Sequence, residues 1–146
     1  MNDDELMTLL DYGRELGAEV RFIEYMDVGN RNGWKWDEVV SAAEIVARIN
    51  SEMPIEPLEN GYRGEVARRY RYRDGGGEIG IIASVTDPFC VDCTRSRLST
   101  DGVLYTCLFA SKGISLRDPI RSGASDYELH DIISQVWRNR VDRYSE

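Results

Sequence analysis

The sequence predicts an α/β fold in which a portion of parallel structure is followed by an α+β domain with antiparallel hairpins. A helical pattern at residues 3–16 is followed within a few residues by a mostly apolar strand at residues 20–26, which is half of a parallel βα unit. Strand patterns at residues 66–73 and 78–85 flank Asp74-Gly75-Gly76-Gly77, a turn sequence that predicts an antiparallel hairpin. Because one helix and one strand cannot cover both faces of a parallel sheet, the N-terminal portion is expected to belong to a larger α/β domain.

Two further helices are predicted from their N-terminal caps. The first begins at Ser41, and Glu44 stands where it completes a capping box. The second follows Ser125, with Glu128 at the third helical position. The last helix also has an apolar stripe at helical spacing, formed by Leu129, Ile132, Ile133, Val136 and Trp137.

Composition and charge limit the classes of protein that this chain can represent. It has 146 residues, of which 42% are hydrophobic and 30% are charged, the profile of one globular domain or one and a half small ones. The net charge of −8 at pH 7 argues against broad nucleic-acid binding, and no apolar stretch reaches the roughly 18 residues of a membrane helix. For these two reasons we expect no nucleic-acid or membrane partner. Three cysteines cannot all pair within one chain, so we expect a reduced, cytoplasmic protein.

Several noticeable side chains are interpreted as structural. Trp34 and Trp36 lie in a glycine-containing loop, where paired tryptophans usually pack the loop down. The four arginines of residues 68–73 alternate with apolar neighbours, which favours solvated strand faces or interdomain salt bridges over an anion site. His130, the single histidine, is expected at the surface of the last helix.

The most informative segment holds all three cysteines in the pattern Cys-x2-Cys-x13-Cys, at Cys90, Cys93 and Cys107. A gap of two residues lets two thiolates reach one metal centre from a tight loop, and the chain must then return with the third. Strand patterns at residues 94–99 and 103–109, joined by Thr100-Asp101-Gly102, predict that return as a hairpin.

The turn also predicts the register of this hairpin. If Gly102 supplies the left-handed residue of a three-residue loop, Arg97 lies opposite Tyr105 and Arg95 opposite Cys107. A two-residue loop would shift the register by one residue and turn the third cysteine to the other face. In the favoured register one face of the hairpin carries Cys93, Arg95, Arg97, Tyr105 and Cys107.

Three interpretations of these thiols remain open from spacing alone. A 4Fe–4S cluster with three cysteine ligands keeps one iron for an outside ligand, and Arg95 and Arg97 would suit a substrate with phosphate oxygens. A structural zinc site needs a fourth ligand, which Asp87 or Asp92 could supply in a small zinc-stabilised binding module without catalytic activity. Unliganded buried cysteines are the third interpretation.

The motifs of this segment resemble a known family. Phe-Cys-x-x-Cys-x-Arg-x-Arg-Leu-Ser at residues 89–99, Arg-Phe-Ile-Glu-Tyr-Met at 21–26 and Arg-Ser-Gly-Ala at 121–124 are similar to the C-terminal part of the GTP 3′,8-cyclases. These radical S-adenosylmethionine enzymes are also called molybdenum cofactor biosynthesis protein A. The resemblance covers essentially the whole chain.

The resemblance implies an enzyme with two 4Fe–4S clusters. The first cleaves S-adenosylmethionine, and the radical takes a hydrogen from the ribose C3′ of GTP before carbon 8 of the guanine is attacked. The second has three cysteine ligands and an open iron that meets the guanine. Matched to the family's motifs, the second-cluster ligands are Cys90, Cys93 and Cys107, the GTP-binding residues are Arg95 and Arg97, and the residue against S-adenosylmethionine is Met26.

One departure from the family changes what the chain is expected to do. The family's Cys-x3-Cys-x2-Cys motif for the first cluster does not occur here, so we expect a C-terminal fragment that has no catalytic residue of its own and is inactive alone. Residues 1–30 are expected to be the last βα portion of a partial (β/α) barrel, and residues 31–146 the domain for the second cluster and GTP. The strand at residues 20–26 would then have an exposed edge, which predicts either a homodimer through that edge or poor order in the first 30 residues.

Overall fold

The chain forms a mixed α/β fold with two sheets, and the computed structural model describes residues 2–28, 33–88, 90 and 93–141. It divides into two compact units, Met1–Cys93 and Thr94–Tyr144. The predicted domain boundary between residues 30 and 31 lies outside the described residues.

The first unit contains two helices and a four-stranded sheet. Its elements are a 3-10 turn at Asp3–Glu5, α1 (Leu6–Leu16), β1 (Val20–Ile23), α2 (Ala42–Glu52), β2 (Ile55–Pro57), β3 (Arg68–Tyr72) and β4 (Glu78–Ile82). The helix α1 ends at Gly17 in the left-handed conformation. Ser41 caps α2 by accepting the backbone N–H of Glu44, whereas the Glu44 carboxylate accepts from Arg48 instead of completing the expected box.

The sheet has the strand order β1-β4-β3-β2. Strand β1 pairs in parallel with β4, from Val20 opposite Ile79 to Ile23 opposite Ile82, while the other two pairs are antiparallel. The expected strand end at Met26 is wrong, since β1 stops at Ile23. One edge of β1 thus has a parallel neighbour that the sequence did not reveal, and the other edge has no strand among the described residues.

The core of this unit lies between the helices and the sheet. Gly13 allows α1 to approach β1, since a Cβ there would lie 2.3 Å from Cγ2 of Val20. The close approach lets α1 bury its apolar face on the strands, and α2 adds Ile45 and Ile49 to the same core. The core cluster comprises Leu6, Leu10, Ile45, Ile49, Ile55, Tyr72, Ile79 and Ile81.

The hairpin of β3 and β4 forms at the predicted glycine turn. Gly75 and Gly77 have φ angles of 80° and 107°, a region that favours glycine. The arginines of β3 form ion pairs with neighbouring acids of the same unit: Arg68 with Asp87, Arg69 with Glu78 and Arg71 with Glu56.

The second unit contains a three-stranded antiparallel sheet and two helices. Its elements are β5 (Arg97–Leu98), β6 (Val103–Tyr105), β7 (Ile114–Ser115), α3 (Arg117–Arg121) and α4 (Asp126–Arg138), with the strand order β5-β6-β7. The capping box of Ser125 and Glu128 at the start of α4 is confirmed. His130 is exposed, as expected. Within the described residues, no helix has the length and apolar character needed to span a membrane.

Candidate functional site

The hairpin of β5 and β6 has the register that the turn sequence predicts. Arg97 lies opposite Tyr105, and the N–H of Ser99 donates to the carbonyl of Val103 at 2.9 Å. Gly102 has a φ of 81°, so it supplies the left-handed residue of the turn. The strands are shorter than predicted, and the expected pairing of Arg95 with Cys107 lies beyond them and stays a prediction.

A second constraint acts on the same glycine. Its carbonyl accepts the backbone N–H groups of Leu116 at 2.8 Å and Arg117 at 3.2 Å, which docks the turn on the start of α3. A Cβ on Gly102 would lie 2.8 Å from Cβ and 3.4 Å from Cα of Arg117. The turn therefore requires glycine both for its φ angle and for this close approach.

We expect Gly102→Ala to lower the free energy of unfolding by about 2–4 kcal/mol, because backbone strain and overpacking both contribute. Gly123→Ala is the matched control, since Gly123 also has a positive φ, of 86°, but nothing lies within 4 Å of its Cβ position. The control should lose only about 1 kcal/mol in urea unfolding. Equal losses in the two variants would mean that the contact with Arg117 contributes nothing.

The three cysteines of the hairpin form no disulfide. Cys90, Cys93 and Cys107 are each partly buried. The N–H of Cys93 donates to the carbonyl of Cys90 at 3.3 Å, a turn that keeps two of the thiols on one short loop. Three unbridged thiols are a donor set that suits an iron–sulfur cluster. Among the residues that the structure describes, no three His, Cys, Asp or Glu side chains are gathered as a metal-ion site.

The segment after β1 is held by the tryptophan loop. The indole N–H of Trp34 donates to the carbonyl of Tyr25 at 2.7 Å, and Trp34 packs edge-to-face on Trp36 with 6.1 Å between ring centroids. This arrangement agrees with the interpretation of Trp34 as a packing residue, whereas Trp36 is 59% exposed. Met26 follows directly and is half-buried, with its carbonyl accepting the N–H of Val28 at 2.9 Å. Its contact with S-adenosylmethionine stays a prediction.

Glu24 is a residue that the sequence reasoning missed. Its side chain is buried, with 2% exposed, at the carboxyl end of β1. One carboxylate oxygen accepts the N–H of Ala42 at 2.7 Å and the hydroxyl of Thr86 at 2.5 Å. The other accepts the N–H groups of Val85 at 2.7 Å and Thr86 at 2.8 Å. This one side chain thus joins β1, the start of α2 and the turn after β4.

The four hydrogen bonds decide the charge of this group. Burial by itself raises the pKa of Glu24, but the bonds from Thr86, Ala42 and Val85 outweigh it and leave the pKa below its ordinary value. The carboxylate is therefore ionised at neutral pH. Strand alternation could have located it, because Glu24 follows Val20 and Phe22 on the inward-facing positions, where a carboxylate must find donors.

Comparison with known proteins identifies the family. The family described as Molybdenum Cofactor Synthesis C matches residues 18–146, which include the strand β1, Glu24 and the whole cysteine hairpin. The chain belongs to this family. The membership confirms the resemblance found in the motifs.

Relatives of this Molybdenum Cofactor Synthesis C chain bear the name GTP 3′,8-cyclase. The chain is 55% identical to the one from Acidothermus cellulolyticus and 50% identical to the one from Synechococcus sp. (strain CC9605), over 100% of the chain in both cases. It is 46% identical to the one from Staphylococcus carnosus. The chain spans 41–43% of the length of these relatives and corresponds to their C-terminal part. Their name is that of an enzyme, and nothing in the comparisons supports the zinc-module alternative.

Proposed function

We propose that this chain is the cluster-carrying and substrate-binding part of a GTP 3′,8-cyclase, which converts GTP to 3′,8-cyclo-7,8-dihydro-GTP in molybdenum cofactor biosynthesis. The proposal depends mainly on one observation, the identity of 46–55% along the whole chain to proteins of that name. The complete reaction would need the additional length that those relatives have, together with S-adenosylmethionine and a first cluster. Its setting would be the reducing cytoplasm, which suits three cysteines that form no disulfide.

In this proposal Cys90, Cys93 and Cys107 hold a 4Fe–4S cluster. The turn from Cys90 to Cys93 supports it, because two thiolates on a short loop can bind neighbouring irons. When bound, a cluster with three thiolate ligands supplies an iron that is open to a ligand from the substrate. The protein's part is to hold the thiols and to limit the access of water and oxygen.

Arg95 and Arg97 would bind the phosphates of GTP. Both side chains are exposed, and Arg97 lies on β5 opposite Tyr105, so its guanidinium extends from a paired strand rather than from a loose loop. A guanidinium presents parallel N–H donors that match phosphate oxygens, and it keeps its charge at any physiological pH. The two arginines would orient GTP and leave the cluster to contact the base.

The end of β1 would belong to the site for S-adenosylmethionine. The parallel pairing of β1 with β4 supports the assignment of β1 as the last strand of a partial (β/α) barrel. Functional groups of such barrels gather at the carboxyl ends of the strands, where Met26 stands. In the isolated chain, the other edge of β1 is expected to pair with a second copy, since no strand among the described residues covers that edge.

Metal and ligand analysis of the chain, prepared and reconstituted without oxygen, tests this function. We expect about four iron and four sulfide per chain, and a change in the electron paramagnetic resonance spectrum when GTP is added. A zinc-stabilised module would instead retain about one zinc and unfold with a chelator. Zinc without iron, or a cluster whose spectrum ignores GTP, would contradict the proposal.

A further inference from the structure

Glu24 is bonded to the segment after β4 through its backbone as well as its side chain. The N–H of Glu24 donates to the carbonyl of Ile82 at 3.1 Å, and the carbonyl of Glu24 accepts the hydroxyl of Ser84 at 3.1 Å. With the carboxylate bonds to Val85 and Thr86, the hydrogen bonds of this one residue reach from 82 to 86. The path of the chain beyond β4 is thus fixed against the end of β1.

The segment fixed in this way leads directly to the first two cysteines. Thr86 stands four residues before Cys90, a stretch that spans at most about 14 Å when fully extended. Asp87 within it is paired with Arg68 of β3, and Pro88 restricts the backbone further. The position of the Cys90 turn therefore depends on where Thr86 is held.

We propose that Glu24 is a positioning residue whose buried carboxylate holds the Val85–Thr86 backbone so that the turn of Cys90 and Cys93 is placed for cluster ligation. The inference rests on the proposed function. Glu24 touches neither cluster nor substrate in this role, and it acts through Thr86.

The chemistry of the carboxylate explains why another side chain would not serve. The two carboxylate oxygens of Glu24 accept hydrogen bonds from four donors, and three of these donors are backbone N–H groups that are fixed by the fold. Gln has the same shape but one acceptor oxygen, and its NH2 group would face N–H groups that also donate. Glu24→Gln should therefore release one side of the bond network and let the Thr86 segment move.

The test compares Glu24→Gln with a variant that is destabilised elsewhere in the same unit. Ile49→Ala empties part of the core on α2, where Ile49 is fully buried, and leaves the Glu24 bonds intact. Unfolding in urea ranks the stability of the two variants. After anaerobic reconstitution we expect Glu24→Gln to retain at least fivefold less iron than the wild type, with altered g values of any cluster formed. Ile49→Ala should retain wild-type iron and an unchanged spectrum.

A second pair of variants decides the matter if Glu24→Gln does not fold. Thr86→Val removes only the hydroxyl that donates to Glu24, whereas Thr86→Ser keeps it. We expect about a twofold loss of iron and shifted g values in the first and wild-type behaviour in the second. Wild-type iron and spectrum in Glu24→Gln, or in Thr86→Val where Glu24→Gln does not fold, would overturn this inference alone, and so would an equal loss in Ile49→Ala. A wild-type chain that retains no iron would overturn the proposed function as well.

Discussion

Replacing Cys107 with Ser should reduce the iron retained after anaerobic reconstitution from about four per chain to nearly none. The thiolate is the ligand that iron–sulfur clusters require, and a serine hydroxyl is far less acidic and a poorer ligand for iron. In the proposed site the Cys90–Cys93 turn would supply two thiolates, and the third would come from Cys107, which follows β6 on the returning side of the hairpin. The loss should be nearly complete, because two ligands do not anchor a cluster of four irons.

The control for this variant is the neighbouring residue. Leu108 is 39% exposed, so Leu108→Ala changes the same loop at little cost in packing and without touching a thiol. It should keep about four irons. Titration with a thiol reagent under denaturing conditions should find two thiols in Cys107→Ser, against three in the wild type, where no cysteine is in a disulfide. About four irons in Cys107→Ser would show that Cys107 is not a ligand.

Local features of the fold could be predicted because short stretches of sequence determine them. The register of the β5–β6 hairpin follows from loop length and from a glycine that takes the left-handed conformation at Gly102. The capping box at Ser125 follows from two residues three positions apart. The five-residue helix α3 was not predicted, because it is too short to show an apolar period.

Features that join distant parts of the chain left no such signal. Strand β1 pairs in parallel with β4, and the strand patterns alone do not say which strand is the neighbour. Glu24 accepts hydrogen bonds from residues 18, 61 and 62 positions away, so its role becomes visible only once the chain has folded. The cysteines show the same difference between local and distant contacts. The spacing of Cys90 and Cys93 predicts that these two lie on one turn, whereas the position of Cys107 relative to them depends on the path of the whole hairpin.

The double replacement Arg95→Ala and Arg97→Ala should raise the Kd for GTP by about 100-fold or more. Each hydrogen-bonded contact between a guanidinium and a phosphate contributes about 1.5–3 kcal/mol, and each 1.4 kcal/mol corresponds to about a tenfold change in affinity. Equilibrium dialysis of the reconstituted chain with GTP measures the change. The iron content should stay near that of the wild type, because in the proposed site the arginines would contact the substrate and not the cluster.

Charge and geometry can be separated with two further variants. Arg71→Ala with Arg73→Ala removes the same charge from a strand face where both arginines lie close to Glu56, so it should leave the affinity for GTP unchanged. Arg97→Lys keeps the charge but loses the paired N–H donors, so it should weaken binding by about tenfold if phosphate is held by a bidentate contact. An unchanged Kd in the Arg95 and Arg97 double variant would mean that GTP binds elsewhere. Loss of iron in that variant would instead make the two arginines structural supports of the hairpin, because removal of a substrate contact alone cannot release a cluster formed without substrate.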